Sequence, residues 1–309
     1  MNVDTYSIAL IFTILGLGVF ITFRILNITD LTIEASYALG ALLCAKICIA
    51  LNPFIALLVA FLGGMVSGLI TALLHTKLKI NAILSGILTL TAFYSINLIV
   101  ANGDLSIALK EYGKAGLINY TMFPDNDFAK LGILIAIVLA LMILMSIFFK
   151  TKLGLSLRAC GDNPQMAKTE CISTDNMKIF GLMLSNGLVA LAGALFTMFN
   201  ASYSTNVEKG VMVVGVATII IGEVITFKKH NIELILVGIL VGSIIYRLIY
   251  SFILEISFIK ARDLQLIQAS FLVIILVVGI LVDNYKKKKK LSHLIIDDNE
   301  SIKEDVSNA

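Results

Sequence analysis

Long runs of Leu, Ile, Val, Ala and Phe alternate along this chain with short polar stretches. Apolar runs of that length exceed what strands or ordinary core helices need. A helix requires about 20 predominantly apolar residues to cross a hydrocarbon layer roughly 30 Å thick. Nine stretches approach or meet that length: about 6–23, 31–51, 53–74, 80–101, 131–149, 179–200, 209–227, 232–253 and 264–283. The pattern predicts an all-α, polytopic integral membrane protein with about nine transmembrane helices. The longest polar insertions, roughly 102–130 and 150–178, are too short for an independent soluble domain. Residues 1–283 therefore read as one transmembrane domain and 284–309 as a basic, then polar tail. The start, Met1-Asn-Val-Asp4, has no basic n-region, so the first run is expected to remain as a span.

The most polar island between two runs is Arg158-Ala-Cys-Gly161-Asp162-Asn163-Pro164, continuing to Lys178. Asn163 is placed to cap a helix whose first position is Pro164, where a missing N–H costs nothing. Ser173, Thr174 and Asp175 offer caps for the long helix that follows. A short capped helix held between two spans is either an ordinary loop or a surface presented to a partner in water.

Composition agrees with a membrane protein: 58% hydrophobic, 15% charged, mean hydropathy +0.95. Soluble chains are about a quarter charged. Charge also predicts orientation. With Lys286–Lys290 in the cytoplasm, alternation places Arg24, Lys77, Lys79, Lys150, Lys152, Arg158, Lys168, Lys178, Lys228 and Lys229 there too. Only Lys46, Lys110, Lys114, Lys130, Lys209, Arg247, Lys260 and Arg262 fall outside or near the outer interface. Cytoplasmic loops are the richer in Lys and Arg, so the N-terminus is expected outside and the C-terminus inside. The 150–178 loop is then cytoplasmic.

Several chemistries find no support. No GxxxxGK[ST] sequence is present, so ATP is not bound by that device. His75, His230 and His293 are scattered, and no Ser/His/Asp or Cys/His arrangement stands out. Cys44 and Cys48 share a face of a predicted span, where Cys behaves as a small hydrophobe. Cys160 and Cys171 lack metal-ligand spacing. The expectation is a protein that is not an enzyme, with no metal, no cofactor and no nucleic-acid partner.

Polar groups inside the spans carry more information, because an ionised side chain in lipid costs about 2.5–3.5 kcal/mol on insertion scales. Thr29, Asp30, Thr32, Glu34 and Ser36 put five polar side chains into eight residues. They predict a discontinuous helix near 29–36, a break tolerated only against protein or a water-filled path. Glu223 is a second intramembrane carboxylate, and Asn97 and Asn186 add amides. Candidate substrate-path residues are thus Asp30, Thr32, Glu34, Ser36, Asn97, Asn186 and Glu223. The carboxylates read equally as interfacial anchors, and the amides as interhelical hydrogen bonds. Gly64 and Gly68, and the run Ser185, Gly187, Ala190, Gly193 and Ala194, have the small-residue spacing of close helix packing, within one chain or between two.

Together, Ile28-Thr-Asp-Leu-Thr-Ile-Glu-Ala-Ser-Tyr-Ala-Leu-Gly40, Leu74-His-Thr-Lys-Leu-Lys-Ile-Asn81, Leu157-Arg-Ala-Cys-Gly-Asp-Asn-Pro164 and Gly222-Glu223 resemble a permease subunit of an ABC importer. The subgroup is that of the branched-chain amino acid and ribose permeases, with the strongest resemblance to permeases proposed to import tryptophan or tyrosine. It extends to about Asp283. Ala35 and Cys160 depart from it, standing where relatives more often carry Gly and a small Thr or Ala. The resemblance implies an importer moving a small solute, an amino acid, by alternating access, with ATP hydrolysed on a separate ATP-binding subunit. It further implies a permease homodimer and a lipid-anchored or extracellular substrate-binding protein. Arg158, Gly161, Asp162, Asn163 and Pro164 match the segment that couples such a permease to its ATPase. An ion-coupled secondary transporter is the alternative, and only Glu34 and Glu223 could hold its coupling ion.

Overall fold

The computed structural model describes residues 3–254 apart from 51, 105, 110–125, 205–209 and 227–230, together with five positions between 266 and 277. Ten α-helices account for nearly all of it. Helix α1 (Val3–Phe20) runs on through a π-helical turn, Ile21–Ile25, and is followed by α2 (Thr32–Ala50), α3 (Pro53–Thr76) and α4 (Ala82–Val100). After strand β1 (Ser106–Ala108) come α5 (Asp127–Lys150), α6 (Lys152–Asp162), α7 (Pro164–Thr169) and α8 (Thr174–Asn200). Strand β2 (Ser202–Ser204), α9 (Val211–Ile225) and α10 (Ile232–Leu254) complete the described chain.

Seven of these helices are long and apolar enough to cross a membrane: α1 with its π turn, α2, α3, α4, α5, α8 and α10. They match seven of the nine expected runs. The eighth run, 209–227, forms α9, which at 15 residues is too short to span alone. The ninth, 264–283, lies largely outside the described residues, as do the tail and much of 102–130. Among the described residues the fold is all-α but for β1 and β2, which pair antiparallel with Ile107 opposite Tyr203.

Helix α8 is the centre of the bundle. Its small-residue face meets the small-residue face of α3: a side chain on Gly64 would strike Asn186 and Ala190, and one on Gly68 would strike Leu182. Gly40 of α2 likewise lies against the backbone of Ala190, and Gly193 against that of Tyr37. The two glycine-rich stretches read from the sequence thus pack on one another within one chain. Residue pairing shows α2 running parallel to α8 and α3 antiparallel. Around this seam Leu15, Leu17, Phe20, Ile33, Tyr37, Val189 and Leu195 are fully buried. The outward faces of α3, α4 and α5 are apolar and exposed, with Phe54, Leu58, Ile99, Ile143 and Leu144 among them. That inversion suits lipid rather than water as the surrounding solvent.

One end of the bundle gathers α6 and α7. The C-terminal ends of α1, α3 and α5 and the N-terminal ends of α4, α8 and α10 are connected there. Among the described residues Arg24, Lys77, Lys79, Lys150, Lys152, Arg158, Lys168 and Lys178 lie toward this end, against Lys46, Lys130 and Arg247 toward the other. Two ion pairs tie helices at the basic end: Arg24 Nε to Glu223 at 2.6 Å, joining the π turn to α9, and Lys150 to Glu233, joining α5 to α10.

Candidate functional site

The break after α1 is where the polar side chains converge. The chain leaves the π turn at Ile25, turns at Asn27 with φ 53°, and enters α2 at Thr32. Asp30 Oδ1 accepts the Thr32 N–H at 2.9 Å, so the carboxylate takes one of the N–H groups that a helix start leaves unpaired. The other oxygen accepts from Asn186 Nδ2 at 2.7 Å. Asn186 Oδ1 accepts from the Ser36 hydroxyl at 2.6 Å, and Asn186 Nδ2 also donates to the Leu182 carbonyl. On the α3 side, Ser67 and Ser36 share a hydrogen bond of 2.6 Å, as do Thr71 and Thr32.

All six side chains are buried. Asn186 lies twelve residues past Thr174, about 18 Å along α8. The cluster therefore joins α2, α3 and α8 deep in the bundle, with each hydroxyl and amide in use. In such surroundings an unmet polar group costs far more than it does in water.

Glu34 points elsewhere. Its carboxylate faces the backbone N–H groups of Gly210 and Met212, where α9 begins. Gly210 has φ +81°, a left-handed conformation that glycine adopts without strain. An acidic group at a helix N-terminus meets both the unpaired donors and the positive end of the helix dipole. Helix α9 is short, and its far end carries Glu223, paired with Arg24.

The seven candidate path residues thus fall in four places. Asp30, Thr32, Ser36 and Asn186 form the buried cluster. Glu34 adjoins it on the α9 side, and Glu223 sits at the basic end. Asn97 is buried near the far end of α4, and neither amide atom has a hydrogen-bond partner. Sequence reading missed Ser67 and Thr71. Their signal was spacing: a serine within the glycine pair and a threonine four residues later lie on one face of α3.

At the basic end, Asn163 Oδ1 accepts from the N–H groups of Gln165 and Met166, both at 3.1 Å, and Pro164 occupies the first helical position of α7. Ser173 precedes α8 as expected, but makes no side-chain capping bond. Gly161 closes α6 against the α1–α2 connection. Asn27 Nδ2 donates to its carbonyl at 3.1 Å, and a Cβ there would collide with the Ile25 carbonyl. A cleft of about 400 Å³ beside this contact is lined by Asn27, His75, Asn81, Cys160, Pro164 and Lys178. Arg158 lines a second cleft of about 480 Å³ with Lys150 and Glu233. Asp162, Asn163 and Pro164 are exposed. Burial pushes the Cys160 thiol up, against the opposing pull of Lys178, so it is a poor nucleophile.

The model of the family described as branched-chain amino acid transport system, permease component, matches residues 2–281. The chain belongs to that permease family. The tyrosine transport system permease protein of Clostridioides difficile (strain R20291) is 36% identical over 282 residues, 90% of this chain and 91% of the relative. The probable branched-chain amino acid transport permease protein LivH of Methanocaldococcus jannaschii is 29% identical over 194 residues, 59% of this chain and 61% of its own. The autoinducer 2 import system permease protein LsrC of Yersinia enterocolitica is 28% identical over 223 residues, 71% and 59% respectively. No solved structure matches. The chain is accordingly an ABC transporter permease and a multi-pass membrane protein. Membership in this family favours an ABC permease over the ion-coupled secondary transporter.

Proposed function

We propose that this permease moves an amino acid into the cell by alternating access, with ATP hydrolysed on a separate ATP-binding subunit. The observation that carries the reading is Glu34 at the start of α9. Its carboxylate faces the Gly210 and Met212 N–H groups. An amino-acid solute brings a carboxylate that can take over those N–H groups and an ammonium that can meet the released Glu34. One exchange would then recognise both charged ends of the solute without leaving either protein group unpaired. Similarity to a tyrosine permease over nine-tenths of the chain supports the solute class.

Glu34→Gln separates this role from simple anchoring. The amide keeps the shape and can still accept an N–H, but it cannot pair with an ammonium. The permease should assemble normally and lose transport by about tenfold, the consequence of one charged contact worth roughly 1.4 kcal/mol. Transport at the parental rate in reconstituted vesicles would leave Glu34 as a helix cap only.

The drive reaches the break from α7. In this reading the ATP-binding subunit docks on α7 and the neighbouring Arg158, Gly161, Asp162, Asn163 and Pro164. A displacement of α7 is carried through Gly161 to Ile25 and Asn27, five to three residues before Asp30. The basic end then faces the cytoplasm, consistent with the Lys and Arg excess there. The far end, with the N-terminus, faces outward and receives a lipid-anchored or extracellular substrate-binding protein. Two permease chains complete the pore as a homodimer.

Orientation has its own test. In a Cys-free background, a membrane-impermeant thiol reagent applied to intact cells should label Lys130→Cys and miss Lys168→Cys. The opposite pattern would invert the topology and move the ATP-binding subunit to the other end.

A further inference from the structure

Arg247 is an intramembrane cation that the fold leaves without a counter-ion among the described residues, where the ion pairs are those of Arg24, Lys130 and Lys150. It stands on α10, seven residues before Leu254 and so about 10 Å from that helix end. Its guanidinium carbon lies 5.4 Å from the Tyr250 ring and 6.0 Å from the Phe12 ring of α1. Tyr246 stacks on Tyr250 with centroids 6.3 Å apart. The Nε–H is buried and has no hydrogen-bond acceptor. One turn deeper, Thr13 and Ser243 share a 2.6 Å hydrogen bond that closes the seam between α1 and α10.

Aromatic faces stabilise the cation, but they accept no N–H bond in the guanidinium plane. A buried donor left unmet, on a charge held in a span, calls for an oxyanion. The position selects its source. Arginine side chains near helix ends extend toward the interface, and tyrosines gather at the same depth. Phospholipid phosphates lie there.

We propose that Arg247, flanked by Phe12, Tyr246 and Tyr250, is a binding site for a phospholipid phosphate, in the leaflet at the end away from α6 and α7. The guanidinium donates in its plane to the phosphodiester oxygens, a fork that lysine cannot reproduce. The lipid bridges α1 and α10 just beyond the Thr13–Ser243 bond. The inference does not depend on which solute is carried.

Native mass spectrometry of the full-length permease with added phosphatidylglycerol tests it. The parent should retain one lipid through detergent removal, Arg247→Lys should retain it at lower occupancy, and Arg247→Met should lose at least tenfold. Inorganic phosphate or tyrosine at millimolar concentration should not displace that lipid. Equal retention in Arg247→Met, or displacement by tyrosine, would overturn the proposal, the second result making Arg247 a solute contact. Should Arg247→Met fail to assemble, the parent alone decides: phosphatidylglycerol with a photoreactive headgroup should crosslink within 244–254. Label confined to other segments would equally overturn it.

Discussion

Replacing Asn186 by leucine is expected to destabilise the permease by on the order of 1–3 kcal/mol, the range for leaving a buried hydrogen-bonding group without its partner. Leucine keeps the branched outline of asparagine but is bulkier, so part of the loss comes from overpacking against Gly64 and Gly68. The rest is chemistry. Asp30 loses the 2.7 Å bond to Nδ2 and keeps the Thr32 N–H, and Ser36 is left with the Thr32 carbonyl and Ser67. The carboxylate is then a buried charge facing an alkyl group. The loss should appear as a lower melting temperature in detergent and a smaller folded fraction after membrane extraction. Adding Asp30→Asn to Asn186→Leu should restore part of it, because a neutral amide is cheaper to leave underpaired than a carboxylate. A leucine variant within about 0.5 kcal/mol of the parent would mean that the cluster contributes nothing to stability.

Gly161→Ala should nearly abolish transport while leaving the spans intact. One added methyl at Gly161 meets the Ile25 carbonyl, so α6 has to withdraw from the α1–α2 connection or the π turn has to move. Either outcome separates α7 from the break at Asp30. Transport in vesicles containing the ATP-binding subunit should fall by at least tenfold, with membrane insertion and the far-ultraviolet spectrum unchanged. Gly132→Ala is the control, since a side chain there meets nothing within 4 Å. If Gly161→Ala transports normally, the contact with Ile25 and Asn27 is not the route of coupling.

The spans were legible because lipid imposes a single rule over 20 residues, and local sequence satisfies it without help. The same holds for α7, whose cap is written in two adjacent residues, Asn163 and Pro164. Helix α6 was not legible: Leu153, Leu155 and Leu157 recur with the period of a strand, and only Thr151, accepting the Gly154 N–H at 3.3 Å, marks the start. The break near 29–36 could be read from its polar content, yet its partners could not. Asp30 finds Asn186 through the parallel register of α2 on α8, and Ser36 finds Ser67 through the antiparallel register of α2 on α3, which no local pattern encodes. Helix α9 was read as a full span because Val211–Ile225 is uniformly apolar. Its start at Gly210, beside Glu34, is set by tertiary placement. Glu223 was weighed as a path residue, and the structure pairs it with Arg24, 199 positions earlier (223 − 24).

The glycine seam has one more property. Gly64 and Gly68 are one turn apart on α3, and the α8 positions they touch, Ala190, Asn186 and Leu182, are spaced by the same four residues. Sliding α3 along α8 by about 6 Å would therefore seat Gly64 where Gly68 now rests, backbone again on backbone. Steric fit is periodic along this track and cannot by itself hold a single register. The hydroxyl pairs share that spacing but are only two: the slide would set Ser67 opposite Thr32 and leave Ser36 and Thr71 without their partners, so only the present alignment forms both bonds. The polar cluster is the detent on an otherwise smooth rail, and its hydroxyl bonds set how firmly the rail stays put.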